Sequence, residues 1–407
     1  MRRVVVTGMG GITSLGEQWP EIKARLIKKE NAVRYMNEWD ISDDLRTRLG
    51  APVDQFELPK FSRKETRSMG RVALLSTCAS IKAIENAGLT GDPKLSDGTT
   101  GIAYGSSSGS IAPINDFSHL LRTGSMAGFN SASYIKMMGH TAPVNMGVYF
   151  GCKGRIITTS SACTSGSQGI GSAYEAIKYG QQDIMIAGGA EEISITQAAV
   201  FDTLFATSIK NDTPKLSPRP FEQSRDGLVI GEGAATLVLE EYELARKRGA
   251  NIYAEIVGFG TNSDGAHVTQ PKKETMAIAM ALALKDAKLS PDSIGYVSAH
   301  GTATDRGDIA ETQATRKVFN RAVPISSLKS YFGHTLGACG AIEAWLSIEM
   351  MNENWYSPTA NLDKVDPECG DLDYIIENDR EIKCNYIMSN NFAFGGINTS
   401  LIFKKHN

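Results

Sequence analysis

Two stretches of this 407-residue chain repeat one pattern that few folds accommodate. The run Arg155–Thr158 is apolar and β-branched, and it leads through Ser160-Ser161-Ala162-Cys163 into a small-residue helix over Gly166–Ile177. The run Val323–Ser326 leads through Lys329 and Gly333-His334 into a second such helix, containing Ala341-Ile342-Glu343-Ala344. Each unit is a strand, a reactive side chain and a Gly/Ala-rich helix able to pack deep inside a protein. The repetition predicts two related halves, 1–250 carrying Cys163 and 251–407 carrying His300 and His334.

The rest of the chain fits that plan. Further strands are expected at Arg3–Thr7, Thr100–Tyr104, Asp183–Ala187, Ala235–Leu239, Ile252–Gly258, Ile294–Ser298, Tyr386–Ser389 and Thr399–Phe403. Helical stretches such as Arg71–Gly88 and Thr275–Ala287 lie between them, so the class is α/β with buried sheets. Asn211–Gly227, rich in Pro, Asp, Ser and Arg, predicts an ordered surface loop. The 40 glycines cluster in short motifs, which points to tight turns and close packing rather than to a linker. Gly8-Met9-Gly10-Gly11 after the first strand invites a dinucleotide reading, but the third glycine of that fingerprint falls on Thr13, and the reading is rejected.

A net charge of −3 argues against nucleic acid as a partner. No apolar run approaches the roughly 18 residues of a membrane span, and the N-terminal apolar stretch is too short for a signal peptide. The six cysteines, at 78, 152, 163, 339, 369 and 384, form no CxxC pair, so free thiols in a reducing cytoplasm are expected.

Chemistry concentrates at the strand ends. Cys163 at a strand-to-helix turn faces unpaired N–H groups and a helix dipole, which predicts a lowered thiol pKa. Taken alone, such a cysteine is more often a buried small hydrophobe. Ser298-Ala299-His300-Gly301-Thr302-Ala303-Thr304 follows one buried strand, and Gly333-His334-Thr335-Leu336-Gly337 follows another, with Lys329 just upstream. Only six histidines exist, and two of them end strands beside glycine. Together with Cys163 and Lys329 they favour catalysis, and their spacing fits no compact zinc pattern. Near the C-terminus, Ser389–Asn398 contains Phe392, Phe394 and the pair Gly395-Gly396. It predicts either a tight turn capping the core or a loop that offers a backbone N–H to an oxyanion.

These motifs, in this order and at these spacings, resemble the elongating β-ketoacyl-acyl carrier protein synthases, types I and II, of the thiolase superfamily. The resemblance runs from Val4-Val5-Val6-Thr7-Gly8 through Arg219-Pro220-Phe221 and Arg225-Asp226-Gly227-Leu228-Val229-Ile230-Gly231-Glu232-Gly233 to Gly395-Gly396-Ile397-Asn398. It implies a thiolase-like five-layered α-β-α-β-α core made of two similar halves. It also implies that Cys163 accepts an acyl group, and that His300 and His334 assist decarboxylation of a malonyl group and hold the enolate. The same resemblance assigns the oxyanion hole to the N–H groups of Cys163 and Phe394, orientation of the site to Lys329 and Glu343, and contact with the substrate arm to Thr302, Thr304 and Phe392.

Further consequences follow from the same resemblance. The arm is phosphopantetheine on an acyl carrier protein, so no resident cofactor or metal is expected. Carrier docking is expected at Lys64, Arg67 and Arg71. A partner subunit is implied, either a second copy or a ketosynthase-like chain-length subunit. Two other readings stay open: a thiolase acting on coenzyme A thioesters, and a non-catalytic chain-length partner. The sequence departs from the family at Ala393, at Ile397 and at Asp305-Arg306. Ser108, small and polar at the position of the pocket floor, together with Ala393, points to a type II polyketide or polyene-like pathway rather than bulk fatty-acid synthesis.

Overall fold

The valine-rich N-terminal run opens strand β1 (Val4–Thr13), buried along its whole length. The computed structural model describes residues 1–406. The first half continues with β2 (Thr100–Gly105), β3 (Ile156–Thr158), β4 (Ile184–Glu191) and β5 (Gly233–Glu241). The second contains β6 (Ala254–Ser263), β7 (Tyr296–Ser298), β8 (Pro324–Ser326), β9 (Asp373–Tyr374), β10 (Tyr386–Ala393) and β11 (Ile397–Lys405).

The spatial order is β9-β8-β7-β10-β11-β6-β1-β5-β4-β2-β3. Apart from the edge strand β9, the two halves have one topology. In each, the second strand pairs in parallel with the third and the fourth, and the fifth pairs antiparallel with the fourth and the first. A short antiparallel pairing of β1 with β6, Val4 opposite Ile256, hinges the halves together.

The helices supply the remaining layers. α1 (Arg71–Asn86) covers the outer face of the first sheet and α3 (Lys273–Ala287) that of the second, with α4 (Asp305–Phe319) beside it. α2 (Ser165–Lys178) and α5 (Cys339–Glu353) lie between the sheets, giving the five-layered thiolase-like core that the family resemblance implies. Their small residues are required there. A Cβ on Gly166 would sit 2.9 Å from Ala341 N, and one on Gly340 would sit 2.8 Å from Ser167 N.

Several strands outrun their predicted ends because glycine does not break them. β1 continues through Gly8 and Gly10, where α1 presses on the strand: a Cβ on Gly8 would lie 2.2 Å from Ala83 O. Gly260 meets Ala279 O of α3 in the same way, at 2.1 Å. The glycines that imitate a nucleotide motif are therefore helix-docking positions, repeated in both halves. The 211–227 segment is an ordered loop, and its Arg225 reaches Asp366 at 2.6 Å and Asp308 at 3.6 Å.

Candidate active site

The duplicated units bring their reactive residues face to face. Cys163 lies in the short turn Ala162–Thr164 ahead of α2, and His334 lies between β8 and α5. His334 Nε2 is 3.0 Å from Cys163 Sγ. The ligand atoms of Cys163, His300 and His334 all fall within 4.8 Å of one another. All three residues are buried, and the two imidazoles meet edge to face with centroids 5.1 Å apart.

Both ring tautomers are set by neighbours. Leu336 N donates to His334 Nδ1 at 3.2 Å, so the neutral ring carries its proton on Nε2, pointing at the sulfur. Lys329 Nζ lies 3.3 Å from His300 Nδ1 and donates to it, which again leaves the proton on Nε2. Burial holds both histidines well below their usual pKa, and the charge of Lys329 adds to the effect. The site therefore holds two neutral N–H donors.

Lys329 is ion-paired with Glu343, whose second oxygen accepts Asn391 Nδ2 at 2.7 Å. Burial disfavours the lysine charge, but Glu343, with Cys339 and Glu311, outweighs it and raises the pKa. The three atoms of Cys163, His300 and His334 are close enough to share a metal ion. The ammonium 3.3 Å from His300 opposes a second cation there.

The predicted low thiol pKa is corrected. Burial pushes the Cys163 thiol up to about 11, against which the charge of Lys329 and the backbone amides of Phe394 and Cys163 pull it down. The cost of burial outweighs what the charge of Lys329 and the two amides return. Those two amides lie beside the sulfur, next to where the carbonyl oxygen of a Cys163 thioester would sit.

Backbone strain marks the catalytic loops. Ala162, Ala303 and Leu336 all adopt positive φ, at 51°, 65° and 43°. Each costs about 1 kcal/mol or more and persists only where surrounding bonds enforce it. Two carboxylates that the sequence reading passed over supply such bonds. Glu311 accepts His300 N and Gly301 N, both at 2.7 Å, and Asp308 accepts Thr302 N at 3.0 Å, Ala303 N at 3.2 Å and Phe221 N at 2.8 Å. The available signal was two acids three residues apart at the head of the helix following Thr304.

A cavity of about 520 Å³ runs from Cys163 past Thr302, Thr304, Phe392 and Phe394 to the exposed Phe205 and Val268. Thr302 and Thr304 share a hydroxyl hydrogen bond of 2.9 Å. The Phe394 ring packs on Phe201, with centroids 5.1 Å apart. Gly395 (φ 87°) and Gly396 (φ 71°) turn the hairpin beyond it, and Asp264 N donates to Gly396 O.

Three sequence-derived assignments change. Ser108 is exposed and does not line the cavity; its hydroxyl makes only a 3.4 Å contact to Gly109 O. Ala393 lines the cavity, but as the last residue of a regular strand opposite Ile397, so glycine's extra backbone freedom is not called on there. Arg71 holds buried Glu232 and Val53 O, which occupies its guanidinium. Lys64 and Arg67 are exposed and make no ion pair among the described residues.

A buried cysteine beside two histidines, held between duplicated α/β halves, is the arrangement of a thiolase-like condensing enzyme. The β-ketoacyl synthase N-terminal domain matches residues 1–245 and the corresponding C-terminal domain residues 253–363. The chain belongs to the β-ketoacyl synthase family. It is 37% identical over 413 residues to 3-oxoacyl-[acyl-carrier-protein] synthase 2 of Vibrio harveyi, covering 99% of each chain. A β-ketoacyl synthase structure from Burkholderia phymatum STM815 superposes with a TM-score of 0.99 at 61% identity, covering 100% of both chains. The structure described as the ishigamide ketosynthase/chain length factor superposes with a TM-score of 0.90 at 29% identity, again over 100% of both chains.

Proposed function

We propose that this protein is a decarboxylating β-ketoacyl synthase that lengthens acyl chains on an acyl carrier protein. The observation that carries the reading is the Cys163 sulfur 3.0 Å from His334 Nε2, with His300 in the same 4.8 Å cluster at the inner end of the cavity. Cys163 attacks the acyl thioester, its proton leaves with the thiol of the departing arm, and the acyl group stays on sulfur. A malonyl thioester then loses carbon dioxide. The enolate oxygen accepts hydrogen bonds from the Nε2–H groups of His300 and His334. Its carbon attacks the Cys163 thioester, whose oxyanion accepts the amides of Cys163 and Phe394. Collapse expels the Cys163 thiolate, which takes a proton from solvent, and leaves a 3-oxoacyl chain two carbons longer. The arm belongs to the carrier, so the reading requires no resident cofactor.

The thiolase reading needs a second thiol at the reacting centre. His334 stands there instead, and the S–H of Cys339 is turned to Cys163 O at 3.2 Å. The test is to supply acyl- and malonyl-carrier protein and measure carbon dioxide against the 3-oxoacyl product. Equal amounts are expected, whereas thiolysis of acetoacetyl-coenzyme A without carbon dioxide release would overturn the reading. Ser108 and Ala393 lend a specialised pathway no support, so the reading rests on elongation itself, in fatty-acid or type II polyketide synthesis.

Carrier docking is assigned to Lys64 and Arg67, whose unpaired charges suit an acidic partner. Reversing both to Glu should raise the KM for carrier-bound substrate on the order of tenfold at low salt. The effect should shrink as salt rises and leave kcat unchanged. Equal KM values for variant and wild type would remove the assignment. The partner subunit is assigned to the open edge at β3, where Ile156 is 43% and nearby Val148 79% exposed. Sedimentation should give twice the chain mass, either alone or with a ketosynthase-like second subunit; a monomer in both settings would exclude it.

A further inference from the structure

One buried acid near the site has no part in the reaction above. Glu191, the last residue of β4, is 0% exposed, and no Lys or Arg pairs with it among the described residues. A buried carboxylate without a cation is costly unless hydrogen bonds replace its water. One oxygen, Oε2, accepts Ser107 N at 2.7 Å and Gly337 N at 2.9 Å, while Gln197 Nε2 approaches Oε1 at 3.4 Å.

The two amides come from loops on either side of the nucleophile. Ser107 follows Ser106, whose carbonyl accepts Ser160 Oγ at 2.8 Å, and Ser160 precedes Cys163 in the nucleophile loop. Gly337 directly follows Leu336, the residue whose N–H fixes the His334 tautomer and whose φ of 43° is strained. Nothing larger than glycine fits at 337: a Cβ would lie 2.6 Å from Ser107 N and 2.8 Å from Glu191 Oε2. The carboxylate thus grips the peptide next to the strained residue and ties it to the Ser106–Ser107 loop, to which Ser160 also bonds.

We propose that Glu191 is a positioning residue for His334, acting through the Leu336–Gly337 peptide to hold Nε2–H on the reacting atoms. The proposal rests on the decarboxylating reading above. It predicts an uneven effect, because His334 serves the enolate whereas acyl transfer relies on Cys163 and its amides.

The test separates the two half-reactions in the full-length protein. Acyl transfer to Cys163 is followed by intact mass, and carbon dioxide release from malonyl-carrier protein is followed directly. Glu191→Ala and Glu191→Asp, which remove or withdraw the acceptor, should slow decarboxylation about a hundredfold, as an ångström of misplacement does. Acyl transfer should change only a few fold. Glu191→Gln, which keeps an acceptor for both amides, should lose no more than about threefold in either half-reaction. Parallel loss of both half-reactions in Glu191→Asp would reduce the residue to a structural one. A Gln variant as slow as Asp, or an Asp variant as fast as wild type, would also overturn the proposal. Absence of carbon dioxide release from the wild type would instead sink the functional reading on which it rests.

Discussion

Cys163→Ala is expected to abolish condensation, by about 10⁴-fold or more, because no other group replaces a nucleophile that forms the covalent intermediate. Carbon dioxide release from malonyl-carrier protein should survive in the same variant. In the proposed mechanism the enolate is held by His300 and His334, and neither depends on sulfur for its tautomer: Leu336 N sets one and Lys329 Nζ the other. The fold should survive as well. Cys163 is 4% exposed, and deleting one buried sulfur costs on the order of 1 kcal/mol. The hydrogen bond from Cys339 goes to the backbone carbonyl of residue 163, which alanine retains. Labelled acyl-carrier protein and intact-mass spectrometry read the outcome. Stable label on the alanine variant would move the nucleophile elsewhere, with Cys339 the nearest candidate thiol.

The site was legible where chemistry coincides with a strand end. Cys163, His300, Lys329 and His334 each follow a short apolar run, and strand ends in a duplicated α/β core meet between the halves. Tertiary context was not legible. A cysteine before a helix suggests a low pKa, but the sequence does not say that the site is dry, and burial wins. Arg71 lies at helical spacing from Lys64 and Arg67, yet Glu232, 161 residues away, takes its charge. Nothing in the sequence separates Glu311 and Asp308 from ordinary acids in the first turns of a helix, yet their carboxylates brace the strained loop around His300. The duplication has a sharper sequence signature in paired glycines and alanines than in the strand–helix repeat. Gly8 and Gly10 face Ala79, Ala83 and Ala87, and Gly258 and Gly260 face Ala279, Ala283 and Ala287. That spacing was missed because a glycine-rich strand end suggests a turn, and only the helix pressed against it reveals the need for no side chain.

Lys329→Met is expected to cost about 3–5 kcal/mol of stability, because it strands Glu343 as an uncompensated buried charge. Both groups are essentially inaccessible, at 1% and 0% side-chain exposure, so water cannot replace the lost partner. Urea unfolding should show the loss, and Lys329→Met combined with Glu343→Leu should recover most of it, since an apolar pair replaces an ion pair in a dry site with little net change. Activity should not follow stability. With no ammonium at His300 Nδ1, the ring can carry its proton on either nitrogen, and the donor facing the enolate is no longer assured. Loss of one such donor typically costs about a hundredfold in rate. Cys163 provides a separate readout with a fixed sign. The charge of Lys329 lowers its pKa, so removing that charge leaves less thiolate at a given pH and slows alkylation by a neutral reagent. A stable double variant that condenses at the wild-type rate would show that the ion pair only fills space. Recovered stability with slow condensation and slow alkylation would assign Lys329 to both the histidine and the thiol.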